Sequence, residues 1–278
     1  MVNRRYQVAA LGLICVIAFS LLVVYSQRRT ANADNSKPNV PPLINITSES
    51  IWIHTSFYRV RLDSGVITVF EVNGSNILLG SAFGLGMNEV AYTSHFLYLM
   101  QSRYDTVYTV INKTEEIIVR AFQDDIAGWE SYPAPFYASF NNTWIFRNST
   151  PIIEVFTTRV LDFNSVRSSA HQICFVFERG EATAYFDDTH LVHASNYTGN
   201  LDSFGSSSAG YILNKNVKFT IQILDKSPSN CSFYDSTLGG SNYDEIQITW
   251  FKLGDSASPI ATGNVTECIH YTMSFLEV

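Results

Sequence analysis

The chain has 278 residues, of which 46% are apolar, 14% aromatic and 15% charged, with a formal net charge of −7. Apolar and aromatic content at this level fills a core and excludes an intrinsically disordered chain. No basic stripe exists beyond the terminal arginines, so the phosphate-neutralising side chains that nucleic-acid binding draws on are missing and no nucleic-acid partner is expected.

Residues 1–7 form a short basic tail. Residues 8–25 then run for eighteen positions without a charge. As a helix rising about 1.5 Å per residue they span roughly 27 Å, close to the hydrocarbon thickness of a bilayer. Eleven of them are Val, Leu, Ile or Phe, and at a few tenths of a kcal/mol each their insertion is favourable by roughly 3 to 6 kcal/mol. Arg4 and Arg5 precede the run, and the positive-inside tendency keeps them in the cytoplasm and sends the remainder across. The reading is a signal-anchor helix in type II orientation, with the membrane as a partner and a lumenal or extracellular C-terminal domain. A cleaved signal peptide is the rival, because Val24-Tyr25-Ser26 and Ala31-Asn32-Ala33 offer small residues near a cut, and cleavage gives a secreted product. Against it, the apolar run exceeds the roughly 7 to 15 residues of a signal core, and Arg28 and Arg29 stand between it and Ala31. Residues 26–44 read as a stalk, since Val40-Pro41-Pro42 favours an extended chain.

Asn-x-Ser/Thr triplets begin at Asn45, Asn73, Asn112, Asn141, Asn148, Asn196, Asn230 and Asn264, all beyond the apolar run; twenty Asn placed at random would give about four. A glycosylated ectodomain follows as an expectation. Asn73-Gly74 is equally a two-residue hairpin turn, which needs positive φ at both positions. Of the four cysteines, Cys15 falls in the apolar run. Cys231 and Cys268 sit in polar, turn-rich stretches and are the disulfide candidates, whereas Cys174 in Ile-Cys-Phe-Val-Phe reads as a buried strand residue. No Cys-x-x-Cys pair or zinc-ligand spacing occurs, so neither a metal nor a cofactor is expected.

From residue 45 onward, β-branched and aromatic residues alternate with polar ones in short runs between Gly, Asn, Asp and Ser clusters. The pattern predicts strands at 56–62, 66–72, 95–100, 106–111, 116–122, 152–160, 172–178, 182–186, 217–224, 245–252 and 268–275. No amphipathic helix competes with them, so the body is all-β. Aligning the body with itself pairs Ser50-Ile51-Trp52-Ile53 with Thr143-Trp144-Ile145-Phe146. It also pairs residues 66–73 with 181–188, and 110–119 with 212–221. A spacing of about 90 to 115 residues suits a small β-sandwich. The resulting organisation is two tandem sandwiches, 45–143 and 144–278, with one larger sandwich as the alternative.

The order of signals within each unit, a strand entering a polar turn, an apolar return strand and a long alternating strand, resembles the galactose-binding-domain-like jelly rolls. Phe70-Glu71-Val72-Asn73-Gly74 matches their usual turn more closely, and Tyr185-Phe186-Asp187-Asp188 more loosely. The resemblance covers most of residues 50–255. It implies a jelly-roll-like fold after the membrane helix, and no particular activity, because such sandwiches serve adhesion, sugar binding and enzyme appendages alike.

The candidate ligand-binding residues are Asp124, Asp125, Trp129 and Tyr132, in a stretch that joins acids to aromatic rings around Gly128 and Pro133. Sugars are held by stacking on such rings while carboxylates accept their hydroxyl hydrogens. The competing account is a loop whose rings plug a sandwich edge. Asp187-Asp188-Thr189-His190-Leu191-Val192-His193 offers metal-ligand types, but His190 and His193 are three apart and point to opposite faces of a strand, so a hairpin turn is preferred. Gly205-Ser206-Ser207-Ser208-Ala209-Gly210 lacks the glycine spacing of a nucleophile elbow and reads as a loop. With no catalytic constellation, the expected function is a non-enzymatic membrane glycoprotein binding a glycan or a protein. A lumenal carbohydrate-active enzyme, or a non-catalytic binding module of one, is the alternative.

Overall fold

The computed structural model describes residues 42–47, 50–78, 87–92, 95–100, 105–127, 137–162, 168–196, 201–204, 206–224, 231–235, 243–253 and 265–277. These residues are strand throughout, apart from turns and two single 3-10 turns at Ala194–Asn196 and Asn214–Asn216. A five-stranded antiparallel meander comes first: β1 (Leu43–Ile46), β2 (Ile51–His54), β3 (Arg59–Asp63), β4 (Val66–Val72) and β5 (Ser75–Asn76), paired in chain order. Then follow β6 (Met87–Tyr92), β7 (His95–Met100), β8 (Val107–Asn112), β9 (Glu116–Ala127), β10 (Tyr137–Arg147), β11 (Ile152–Asp162) and β12 (Ser168–Glu178). The chain continues through β13 (Ala182–Asp187), β14 (Leu191–His193), β15 (Leu201–Phe204), β16 (Ser208–Leu213), β17 (Val217–Ile223), β18 (Cys231–Asp235), β19 (Tyr243–Leu253) and β20 (Val265–Glu277). They build a nine-stranded sheet in the order β14-β13-β16-β17-β20-β11-β10-β9-β8 and a six-stranded sheet in the order β15-β18-β19-β12-β6-β7.

Strict alternation gives the nine-stranded sheet one buried face. Register carries a continuous inward row across five strands, Val119, Trp144, Val155, Tyr271 and Ile223, each the direct neighbour of the next. The high aromatic content fills the space above that face. Phe275 of β20 lies 4.1 Å from Phe70 of the meander and 4.6 Å from Phe219 of β17. Phe219 in turn lies 5.1 Å and 5.2 Å from Phe175 and Phe177 of β12 in the six-stranded sheet. One apolar core therefore joins all three sheets.

Two tandem sandwiches are not what forms. Residues 40–278 are a single compact unit, β6 from the first supposed half pairs with β12 from the second, and β10 runs straight through the supposed join with partners on both sides. The self-alignment did find real hairpins. Residues 110–119 and 212–221 fall on β8–β9 and β16–β17, both in the nine-stranded sheet, while 66–73 and 181–188 fall on strands entering tight turns in different sheets. The two matched tryptophans have opposite roles. Trp144 is buried, whereas Trp52 lies on the meander's outer face with the Arg59 guanidinium 3.9 Å above its ring.

The supposed stalk ends sooner than expected, because Leu43 already pairs with His54 in β1–β2. No helix among the described residues is long and apolar enough to cross a membrane, and residues 8–25 lie outside them. The Cys231–Cys268 disulfide is not formed. Cys268 is an exposed free thiol on β20 that accepts a hydrogen bond from Thr158 Oγ1 at 3.7 Å, while Cys231 belongs to β18 of the six-stranded sheet. Cys174, read as a buried strand residue, lies within β12, and its side chain falls outside what the structure describes.

Candidate functional site

A cleft of about 620 Å³ opens between the end of β1, the β3–β4 turn and the edge strand β8. The turn residues Ser64 and Gly65 both have positive φ, 47° and 74°, which closes the two-residue hairpin between Asp63 and Val66. Gly65 is required twice over. A β-carbon there would sit 2.8 Å from the Gln123 side chain, and its backbone is held at both ends. Gly65 N–H donates to Tyr108 Oη at 2.8 Å, and Gly65 O accepts from Asn142 Nδ2 at 3.0 Å. Gln123 Nε2 donates to Ser64 O at 3.1 Å and to Thr106 Oγ1 at 2.9 Å, tying the turn to the segment that leads into β8.

Around this clamped turn the cleft presents two carboxylates, Asp63 and Asp105, and the hydroxyls of Ser64, Thr106, Thr47 and Ser50. Thr47 and Ser50 close the β1–β2 connection, with Ser50 N–H donating to Thr47 Oγ1 at 3.0 Å. Ile46, Ile51 and Val110 give the apolar part of the wall. Burial raises the Tyr108 hydroxyl to a pKa of about 12, so it stays neutral and keeps its proton at physiological pH. Carboxylates that accept, hydroxyls that do both, a fixed ring and an apolar wall are what a polyhydroxylated ligand needs.

The residues singled out in the sequence are not brought together here. Asp124 is exposed on β9, Asp125 follows it in the same strand, and Trp129 and Tyr132 lie outside the described residues. Their neighbour Gln123 is the one that reaches the cleft wall. Asp63, Asp105 and Tyr108 carry no joint signal in the sequence, because the meander and the edge of the nine-stranded sheet meet only in the fold. The Asp63-Ser64-Gly65 turn was the one local hint.

The other candidate stretches are structural. Asp187 Oδ1 accepts from Thr189 N–H at 2.7 Å and His190 N–H at 2.8 Å, and His190 Nδ1 lies 3.0 Å from Asp187 Oδ2, so this is a side-chain-closed turn. No group of three or more His, Cys, Asp or Glu suited to a metal occurs among the described residues. Ser207 and Ser208 donate their hydroxyls to the two oxygens of Asp188 at 2.8 Å and 2.7 Å. They fasten the start of β16 to that turn.

Of the sequon asparagines, Asn45, Asn73, Asn112, Asn141 and Asn196 are exposed, while Asn230 and Asn264 lie outside the described residues. Asn73 (φ 51°) and Gly74 (φ 75°) form the expected hairpin turn. Asn148 is only 5% exposed, and its Oδ1 accepts from Ser56 N–H at 2.8 Å and Ser56 Oγ at 2.9 Å. That buried bond pair makes Asn148 a structural latch in the folded chain.

A second polar group lies on the open face of the nine-stranded sheet. Glu154 of β11 sits 3.0 Å from His270 Nε2 of β20 and 3.0 Å from Arg147 Nη2 of β10. His270 stacks on Phe156 at 3.9 Å. Partial burial pushes the Glu154 carboxyl up, but the hydrogen bonds from His270 and Arg147 outweigh it and hold the group below the usual range.

No protein-family model matches the chain, and no curated protein matches it in sequence. Solved structures do match, and what they share with this chain is an antiparallel β-sandwich fold. A galactose mutarotase-like protein from Lactobacillus casei has a TM-score of 0.54 at 10% identity, over 82% of this chain and 100% of its own. A putative aldose 1-epimerase from Klebsiella pneumoniae has a TM-score of 0.51 at 10% identity, over 82% and 79%. A TPR-domain containing protein from Parabacteroides distasonis has a TM-score of 0.54 at 9% identity over 81% of this chain, which spans 47% of that protein's length. At these identities the shared property is the fold. The expected jelly-roll resemblance therefore holds at the level of an antiparallel β-sandwich.

Proposed function

We propose that this protein is a single-pass type II membrane glycoprotein whose lumenal or extracellular β-sandwich binds a glycan. The observation that carries the ligand class is the cleft: two carboxylates, four hydroxyls and a fixed tyrosine around about 620 Å³, within the roughly 300 to 1,000 Å³ of small-ligand sites. Similarity in fold to proteins named for galactose and aldose chemistry supports a sugar over a peptide. The apolar run at residues 8–25 and the excess of sequons support the topology. The test is a glycan array probed with the full chain in detergent, followed by titration of the best ligand. Asp63→Asn and Asp105→Asn each weaken binding at least about tenfold, the loss of one charge-assisted hydrogen bond, and Asp124→Asn leaves it unchanged. An array without signal from folded protein sinks the reading.

The Glu154–His270 pair favours one second reading, a carbohydrate-active enzyme. A carboxylate and an imidazole 3.0 Å apart beside a stacked ring supply a proton donor and acceptor on one open surface. Polarimetry of fresh aldose solutions tests it: anomer interconversion that Glu154→Gln abolishes establishes an enzyme, and a rate equal to buffer alone removes the reading.

A further inference from the structure

The four most exposed large apolar side chains of the protein, among the described residues, are Val107 at 69%, Leu43 at 63%, Ile46 at 59% and Leu191 at 57%. All four lie on strands that end a sheet. β1 closes one side of the meander, and β8 and β14 close the two sides of the nine-stranded sheet. A free edge presents unpaired N–H and C=O groups to any other chain, and proteins usually guard it with Lys, Glu or Pro. Within the strands none of these guards is present, although Pro42 directly precedes β1 and Lys113 directly follows β8: β1 reads Leu-Ile-Asn-Ile, β8 Val-Tyr-Thr-Val-Ile-Asn and β14 Leu-Val-His. What each edge does carry is an exposed sequon asparagine: Asn45 within β1, Asn112 as the last residue of β8, and Asn196 ending the 3-10 turn that follows β14.

We propose that N-linked oligosaccharides on Asn45, Asn112 and Asn196 cover these edges and prevent edge-to-edge pairing with a second copy of the chain. The inference rests on the lumenal placement proposed above. Modification forms a bond from the Asn Nδ2 to the anomeric carbon of an oligosaccharide as that carbon's bond to the diphosphate of a lipid-linked donor breaks. The diphosphate leaves with the bonding pair, and the amide gives up one proton. The bulky, solvated product blocks approach along the strand where a charged side chain otherwise would. Asn141 serves as the internal contrast, because it is exposed on β10, in the interior of the same sheet, and guards no edge.

The experiment expresses the full chain in a eukaryotic secretory host. Glycopeptide mass spectrometry reads occupancy, and light scattering in detergent reads mass. Asn45, Asn112 and Asn196 are occupied. The triple variant N45Q/N112Q/N196Q associates, with weight-average mass rising at least about twofold, while N141Q keeps the parent's state. Adding Val107→Lys to the triple variant returns it toward monomer. Enzymatic deglycosylation of the folded parent gives the same association without any substitution, which covers the case of a variant that fails to fold. Bare asparagines at all sites overturn the lumenal placement and this proposal together. Occupied sites with a triple variant and a deglycosylated parent that both stay monomeric overturn this proposal alone.

Discussion

Where the six-stranded sheet meets the nine-stranded one, the contacts are rings. Phe175 and Phe177 of β12 press on Phe219, Tyr211 and Tyr271, with Phe177–Tyr211 and Phe175–Tyr271 edge-on. Buried Asp244 adds a polar tie, accepting from Gly180 N–H at 3.0 Å and Ala182 N–H at 2.9 Å. Where the meander meets the same sheet, Phe70 and Tyr58 supply rings, but the register is held by polar clamps: Ser56 to Asn148, Gly65 to Tyr108 and Asn142, and Ser64 to Gln123. Rings pack to crystal density and leave no gap. Hydrogen bonds fix backbone at a set distance and orientation and tolerate open space alongside. The cleft lies on the clamped side, where the chain can hold a turn in place without filling the volume beside it.

The largest effect that sharpens this contrast is at the ring joint. Phe219→Ala removes the side chain that touches Phe175, Phe177 and Phe275 at once and is expected to cost about 3 to 5 kcal/mol. Urea unfolding measures it, and the loss reports as one transition because the chain from residue 40 is one compact unit. At the clamped joint, Asn148→Ala leaves Ser56 N–H without its acceptor and costs about 1 to 3 kcal/mol, so it reads as the smaller loss in the same assay. If Asn148→Ala proves the costlier of the two, the division between a ring joint and a clamped joint fails.

The same contrast explains what the sequence could show. A strand such as β17 was legible because an apolar residue recurs at every second position and its buried face, Val217, Phe219, Ile221 and Ile223, is apolar throughout. β10 was missed because Asn142 takes an inward position within one sequon, and a second sequon begins at Asn148 just past the strand. Its inward amide donates to Gly65 O, 77 residues earlier in the chain. A polar residue at a core position breaks the period-two signal, and nothing local announces the partner. Trp52 and Trp144 looked like equivalents because a strand pattern records alternation and not which face becomes the core. The cleft failed for the same reason as β10. Asp63 and Tyr108 belong to different sheets, and their meeting is a property of register, whereas the Asp124 to Tyr132 stretch drew notice by local composition alone.

The charged group on the open face of the nine-stranded sheet provides a control that depends on pH. The hydrogen bond from Lys113 leads in holding Glu116 below the ordinary carboxylate range, and Glu154 is also held low. A carboxyl depressed in the folded state adds stability above its unfolded value of about 4.3, and that contribution is lost as pH falls through the folded value. Glu154→Gln is therefore expected to lower stability at pH 7 and to converge with the parent near the folded value. A difference that persists undiminished into that acid range would mean the substitution acts through packing.

Tyr108 gives the smallest and most local test, because it belongs to the clamp and to the cleft together. Tyr108→Phe keeps the ring and removes the acceptor of Gly65 N–H, at a cost of about 1 kcal/mol. The alkaline limb separates this role from packing. Burial raises the hydroxyl to about 12, against about 10 in the unfolded chain. A raised group binds its proton more tightly when folded, so its stabilisation is fully present below about pH 10 and is lost as pH rises through the folded value. Tyr58 and Tyr271 are raised by burial as well, so the parent loses stability above pH 10 through several hydroxyls and the Tyr108→Phe chain through one fewer. The two stability curves must approach each other between about pH 10 and 12. Curves that stay parallel across that interval would place the Tyr108 hydroxyl in solvent and release the β3–β4 turn from its clamp.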